Sequence, residues 1–270
     1  MNVIEPTRGW SLIDPSNLWS YRDLLVVFVE RDVRVRYKQT IFGIAWAVFQ
    51  PFAAMVVFSL FLGSFAKVPS DGVPYPVFAF SGLLIWIYFA EALKRSGESL
   101  VANAALVGKV YFPRLISPIS GTLSPLVDLA IALVVLVAMM VWYEIPLGPS
   151  LLLLPLIACC ATVAAIAFGS WLAALNVEYR DIGLAIPFLI QIWLFLTPVV
   201  YPSSLVAGRF EFVYGLNPMH GIVQAFRWAI IQKGAFPGID LLVSMAIVTG
   251  FLVGGLIYFR RVERRFADDI

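Results

Sequence analysis

Few residues in this 270-residue chain are of a type and spacing that could do chemistry. The single histidine, His220, has no cysteine or carboxylate cluster around it, which makes it a helix cap or an interfacial side chain before it is a base. Gly108 and Lys109 are followed by Val110, and Asn103 stands where a phosphate-cradling loop needs its first glycine, so ATP is not expected to bind by that route. Cys159 and Cys160 are adjacent in an apolar run, too close for ordinary disulfide geometry and without partners for a metal, and are read as packing or lipid-facing residues. Glu91 and Asp128 lie inside apolar stretches, and neither shows an obvious basic partner at helical spacing. A carboxylate protonated or hydrogen-bonded between helices explains Asp128 about as well as an ion path does. The expectation is therefore no catalytic residue, no metal and no cofactor held by this chain, with the energy for any driven work supplied by an ion gradient or by a separate nucleotide-binding subunit.

Aromatic side chains at helical spacing are abundant instead. Phe42, Trp46 and Phe49 fall at i, i+4 and i+7, Trp86 and Phe89 at i and i+3, and Phe188, Gln191 and Phe195 at i, i+3 and i+7. Rings of this kind stack on the apolar faces of sugars, and with few fixed hydrogen bonds they let a glycan slide. Helix packing or an interfacial aromatic belt accounts for the same spacing.

The elements that must position these residues follow from composition. With 61% hydrophobic and 13% charged residues and a net charge of +2, the chain is unlike a soluble protein, for which about 25% charged residues is usual. It also excludes a disordered chain, a disulfide scaffold and a nucleic-acid binder. Six apolar stretches long enough for a membrane helix run approximately over 40–63, 76–93, 115–142, 150–175, 183–201 and 240–259. Their continuous apolar character predicts an all-α polytopic protein and not a barrel. Fifteen of the nineteen lysines and arginines fall on one side of this layout, which predicts a multi-pass protein of the cell (inner, cytoplasmic) membrane with both termini cytoplasmic. No cleavable signal peptide is expected, because residues 1–20 hold no apolar core.

Three segments lie between or beside the spans. Residues 1–39 form a cytoplasmic segment in which Arg31, Arg34 and Lys38 oppose Val26, Val29, Val33 and Tyr37 on a helical wheel, predicting an amphipathic interfacial helix with Arg36 near its apolar border. A short surface helix is predicted over about 96–111, ending before Pro113, and a basic tail over 260–270. The outer segment, about 202–239, is too apolar for a solvated loop, and two short helices broken near Gly215 to Pro218 would satisfy its backbone.

The run RYKQTIFGIAWAVFQP, from Arg36 to Pro51, strongly resembles the membrane subunit of type-2 ABC exporters, in the branch that exports O-antigen, capsule and teichoic acid. VYFPRLISPIS from Val110, NVEYRDIG from Asn176, LTPVVYP from Leu196 and LNPM from Leu216, followed by Phe226 and Arg227, recur in family order, so the resemblance runs from about Leu18 to the tail. It implies a homodimeric permease moving a polyprenyl-diphosphate-linked polysaccharide, with two copies of a cytoplasmic ATP-binding subunit carrying the ATP and Mg. It also implies a glycan channel lined by the aromatic residues of the first, second and fifth spans. Arg31, Arg34, Arg36 and Lys38 would flank the headgroup entrance between the first and fifth spans. Glu98, Asn103 and Lys109, with Glu178, Tyr179, Arg180 and Asp181, would contact the ATPase. Phe210, Phe212, Asn217, Pro218, Phe226 and Arg227 would belong to the outer gate. A sister exporter of a lipid or drug, an integral membrane glycosyl or acyl transferase using Asp128 or Glu91, and an ion-coupled carrier stand as alternatives.

Overall fold

The computed structural model describes residues 19–38, 43–206 and 211–263. They are helical throughout, without strands among the described residues: α1 (Arg22–Tyr37), α2 (Ala45–Phe58), α3 (Tyr75–Ala102), α4 (Ala104–Val107), α5 (Ile116–Leu123), α6 (Leu126–Trp142), α7 (Leu154–Glu178), α8 (Asp181–Leu196), α9 (Glu211–Gly215), α10 (Pro218–Ile231) and α11 (Gly238–Glu263). Five helical runs are long and apolar enough to cross a membrane: Ala45–Phe65, Tyr75–Ala102, Ile116–Trp142, Pro149–Glu178 and Gly238–Glu263.

The remaining apolar stretch, expected over 183–201, is the 16-residue α8. At 1.5 Å per residue it spans about 24 Å, short of the ~30 Å hydrocarbon core. It stops at Leu196 because Thr197 precedes a proline and adopts extended dihedrals (φ −112°, ψ 133°), and the chain continues as a non-helical loop. The second stretch differs the other way. The predicted separate helix over 96–111 is in fact the last two turns of α3 followed by the four-residue α4, because no proline stands between Leu93 and Ala102 and Asn103 caps the helix.

α3 is the mast of the fold. Its membrane window is 78% buried, against 17% for the windows of the first and last runs. Its lower half is approached by neighbours at backbone distance. A Cβ added at Gly121 of α5 would stand 2.9 Å from the Arg95 carbonyl carbon, and one at Gly97 would stand 2.7 Å from Ile186 Cδ1 of α8. Small residues are needed where helices meet this closely in a membrane. α7 packs along α3, α11 along α7, and α10 fills the outer side of the core, with Phe226 and Ile230 fully buried.

Two features set the first span. Gly43 has φ +49° with open space around its Cβ position, so the left-handed backbone, and not crowding, is what requires glycine where the chain turns from α1 into α2. Pro51 is buried inside α2, and the helix relaxes into a π segment over Ser59–Phe65. Gly121→Val is expected to cost about 1–3 kcal/mol by overpacking against backbone that cannot yield, read as a lowered Tm of the purified protein in detergent. A wild-type Tm would contradict the approach of α5 to α3.

Candidate functional site

At the basic end of the bundle, four charges from three helices meet. Arg36 of α1 places Nη1 2.5 Å from Asp128 Oδ2 and 3.4 Å from Glu91 Oε1, and Arg95 Nε lies 2.7 Å from the same Glu91 oxygen. Tyr37 donates its hydroxyl proton to Asp128. These groups are half-buried, with side-chain exposure of 16% for Asp128 and 27% for Arg36. The two carboxylates thus do have basic partners. Arg95 follows Glu91 by four residues, a helical spacing present in the sequence, whereas the partner of Asp128 comes from a different helix ninety-odd positions away.

This pairing redistributes the basic residues expected at a headgroup entrance. Arg31 pairs with Asp32 at 2.9 Å and Arg34 with Glu30 at 3.1 Å, both on the exposed side of α1; Lys38 is exposed at its end; Arg36 turns inward. Arg36 and Asp128 are among the residues lining a cleft of about 350 Å³ bounded by α2, α3, α6 and α8, to which Lys94, Gln50 and Glu91 contribute polar groups and Ala54, Phe58 and Leu129 apolar ones.

The aromatic residues sort into two sets. Trp46 and Phe49 on α2, edge to face at 5.4 Å, and Phe188, Gln191 and Phe195 on α8 are exposed, and Phe52 joins them. Trp86 and Phe89 are not on that surface. They are 3% and 0% exposed and pack against Trp193 at 6.4 and 5.2 Å, behind α8 in the protomer interior. Their i, i+3 spacing shows a shared face but not that the face is taken by Trp193. Phe42 and Phe210 lie outside the described residues, as does 264–270 of the tail, and Phe212 falls in α9.

Away from the ionic cluster, α10 is part of the core. Pro218, Phe226 and Arg227 are buried. Asn217 caps α10 by accepting from the Met219 amide at 3.0 Å, accepts from Trp193 Nε1 at 2.9 Å, and donates to Leu196 O and Thr197 Oγ1, both at 2.9 Å. Arg227 donates to Pro198 O at 3.1 Å and Val199 O at 2.5 Å, with its guanidinium 4.0 Å from the Phe78 ring centroid. The two residues fasten the 197–202 loop, and with it the end of α8, to α10. His220 is buried in the first turn of α10, where burial holds its imidazole below the ordinary value and so neutral at pH 7.

Among the expected ATPase contacts, Lys109, Glu178, Tyr179, Arg180 and Asp181 are exposed, and Glu178 accepts a hydrogen bond from Tyr258 at 3.0 Å. Glu98 is half-buried on α3. Asn103 is used internally, donating to Ser99 O at 2.8 Å and Ser117 Oγ at 3.0 Å.

Arg227→Ala leaves two buried carbonyls without their donor and is expected to destabilise the protein by about 3 kcal/mol. Arg227→Lys should recover only part of this, because an ammonium lacks the planar fork that serves both carbonyls and the Phe78 face. Detergent melting curves test both, and an Arg227→Ala protein as stable as wild type would contradict the clamp.

Comparison with known proteins accords with this geometry. Residues 23–231 match the family described as ABC-2 type transporter. The chain is 28% identical over 259 residues to an O-antigen export system permease protein RfbA of Klebsiella pneumoniae, covering 93% of this chain and 96% of that one. It is 29% identical over 258 residues to the O-antigen export system permease protein RfbA of Myxococcus xanthus, covering 94% and 97%. Similarity to the polysialic acid transport protein KpsM of Escherichia coli is lower, 23% over 243 residues, covering 86% and 91%. The family match takes in α1, the ionic cluster, both aromatic helices and the Asn217–Arg227 clamp, and the chain belongs to the ABC-2 type transporter membrane family.

Proposed function

We propose that this chain is the permease subunit of an ATP-driven exporter that moves a polyprenyl-diphosphate-linked polysaccharide, of the O-antigen, capsule or teichoic-acid type, across the cell membrane. Two copies form the pathway, each crossing the membrane six times with α8 and the 197–202 loop as the fifth crossing and with both termini cytoplasmic. Two ATP-binding subunits, with their ATP and Mg, dock on the basic face at α4 and at the turn between α7 and α8. The chain itself makes and breaks no bond.

The observation that carries this reading is the aromatic face left uncovered on α2 and α8, in a chain similar over nearly its whole length to O-antigen export permeases. Trp46, Phe49, Phe188 and Phe195 are 48–65% exposed, and Gln191 beside them supplies one polar group. In the dimer these rings line the glycan path, giving contacts that are individually weak and therefore easily exchanged as the polymer slides. Trp86 and Phe89 support the wall from behind through Trp193. The diphosphate enters between the first and fifth crossings, past Lys38 and the cleft. Asn217 and Arg227 join the outer gate segment to α8, so movement of the fifth crossing carries α10 with it.

Combined Trp46→Ala and Phe49→Ala is expected to lower surface polysaccharide about tenfold, taking ring contacts at about 0.5–1.5 kcal/mol each and 1.4 kcal/mol per factor of ten. Co-purification with the ATP-binding subunit should be unchanged. Undiminished surface polymer in cells relying on this variant would contradict a sugar-lining role.

A further inference from the structure

α1 is attached to the rest of the protomer at two places of different chemistry. Near its start Phe28, 3% exposed, sets its ring edge-on to Phe112 at 5.7 Å, in an apolar cluster with Leu100, Val107 and Ile116. The cluster includes Val107 of α4, the helix proposed to meet the ATP-binding subunit, with Phe112 just after it. At its end the attachment is ionic: consecutive residues Arg36 and Tyr37 both bind Asp128 of α6, and Arg36 also reaches Glu91 of α3. One helix therefore links the coupling surface to two membrane helices and then, through Gly43, to the first span.

The charges in this second attachment balance. Arg36 and Arg95 face Glu91 and Asp128, and removing any one leaves an unpaired charge in a half-buried setting at the edge of the hydrocarbon. Asp128 lies in an otherwise apolar helix whose packing would be served as well by leucine, so the carboxylate has to be explained by what it holds. The groups it holds are the two residues that end α1, immediately before the backbone turns extended at Lys38. They also line the cleft between α2, α3, α6 and α8, so displacement of Arg36 would change its wall.

We infer that Asp128, with Glu91, is a positioning residue that latches the end of α1 onto the second and third spans through Arg36 and Tyr37, making α1 a lever between the coupling surface and the spans. The latch is a charge interaction, so it is broken by reversing either sign and remade by exchanging the signs. It rests on the permease reading only for the identity of the coupling surface.

Trypsin provides a readout independent of transport, because Arg31, Arg34 and Lys38 are exposed cleavage sites on α1 itself. Purified protein in mild detergent is digested under limiting conditions, and the rate of cuts within α1 is followed by mass spectrometry. Arg36→Glu and Asp128→Arg are each expected to raise that rate about tenfold, the effect of losing one well-made charge pair. Arg36→Glu combined with Asp128→Arg should return it to within about threefold of wild type. Asp128→Asn, which keeps size and shape, should accelerate cleavage about threefold and serves if a charge-reversed protein does not fold. Single variants digested at the wild-type rate, or a double variant as fast as the singles, would overturn the latch. Because the digestion involves no glycan and no ATPase, failure of the latch and failure of the export reading give separate results.

Discussion

An ionised carboxylate at membrane depth is costly unless it is paired, and here Asp128 is paired with Arg36 and hydrogen-bonded by Tyr37. Asp128 draws in Arg36, which brings the end of α1 against α6 and α3. Gly43, in left-handed backbone, stands just before the first span, whose helix begins at Ala45. The same pair contributes to the wall of the cleft between α2, α3, α6 and α8. Behind it, α3 can act as a mast because Gly97 and Gly121 let α8 and α5 close on it at distances that larger residues forbid.

Burial is uneven from helix to helix. α3, α7 and α10 are buried to a degree expected of a soluble core, whereas α2 and α8 turn large aromatic side chains outward. Their concentration on two helices that border the cleft is the feature on which the proposed glycan path rests. Strong, fixed hydrogen bonds would hold a polymer in place, and the exposed rings of α2 and α8 offer few. The groups that do make strong hydrogen bonds, Asn217 and Arg227, are spent inside the protomer, joining α8 to α10.

Much of this could be read from the sequence, and the remainder follows a physical pattern. Apolar runs and proline or glycine punctuation locate helices, because both act through near neighbours. The five long apolar helical runs occupy segments foreseen from those signals. What near neighbours do not determine was misplaced or missed. Lys94 to Ala102 continues α3, since a charged segment leaving the membrane need not stop being helical. Trp86 and Phe89 share a face, but only the arrival of Trp193 from α8 decides that the face is interior. The Asp128–Arg36 pair joins α6 to α1, and no local spacing could announce it, whereas Glu91–Arg95 was within reach of the i, i+4 rule. Arg227 reads as a gate cation in the sequence and proves to be a buried clamp because its partners are backbone carbonyls, which carry no sequence signature.

The central claim is that this chain forms the membrane path of an ATP-driven polysaccharide exporter. It is tested most directly by purifying the tagged protein from its own membranes in mild detergent and weighing the intact assembly by native mass spectrometry. The account predicts two copies of this chain with two copies of a soluble ATP-binding protein, and a bound polyprenyl-linked glycan lost when Trp46 and Phe49 are replaced. A single copy recovered alone and moving its substrate without ATP would contradict it.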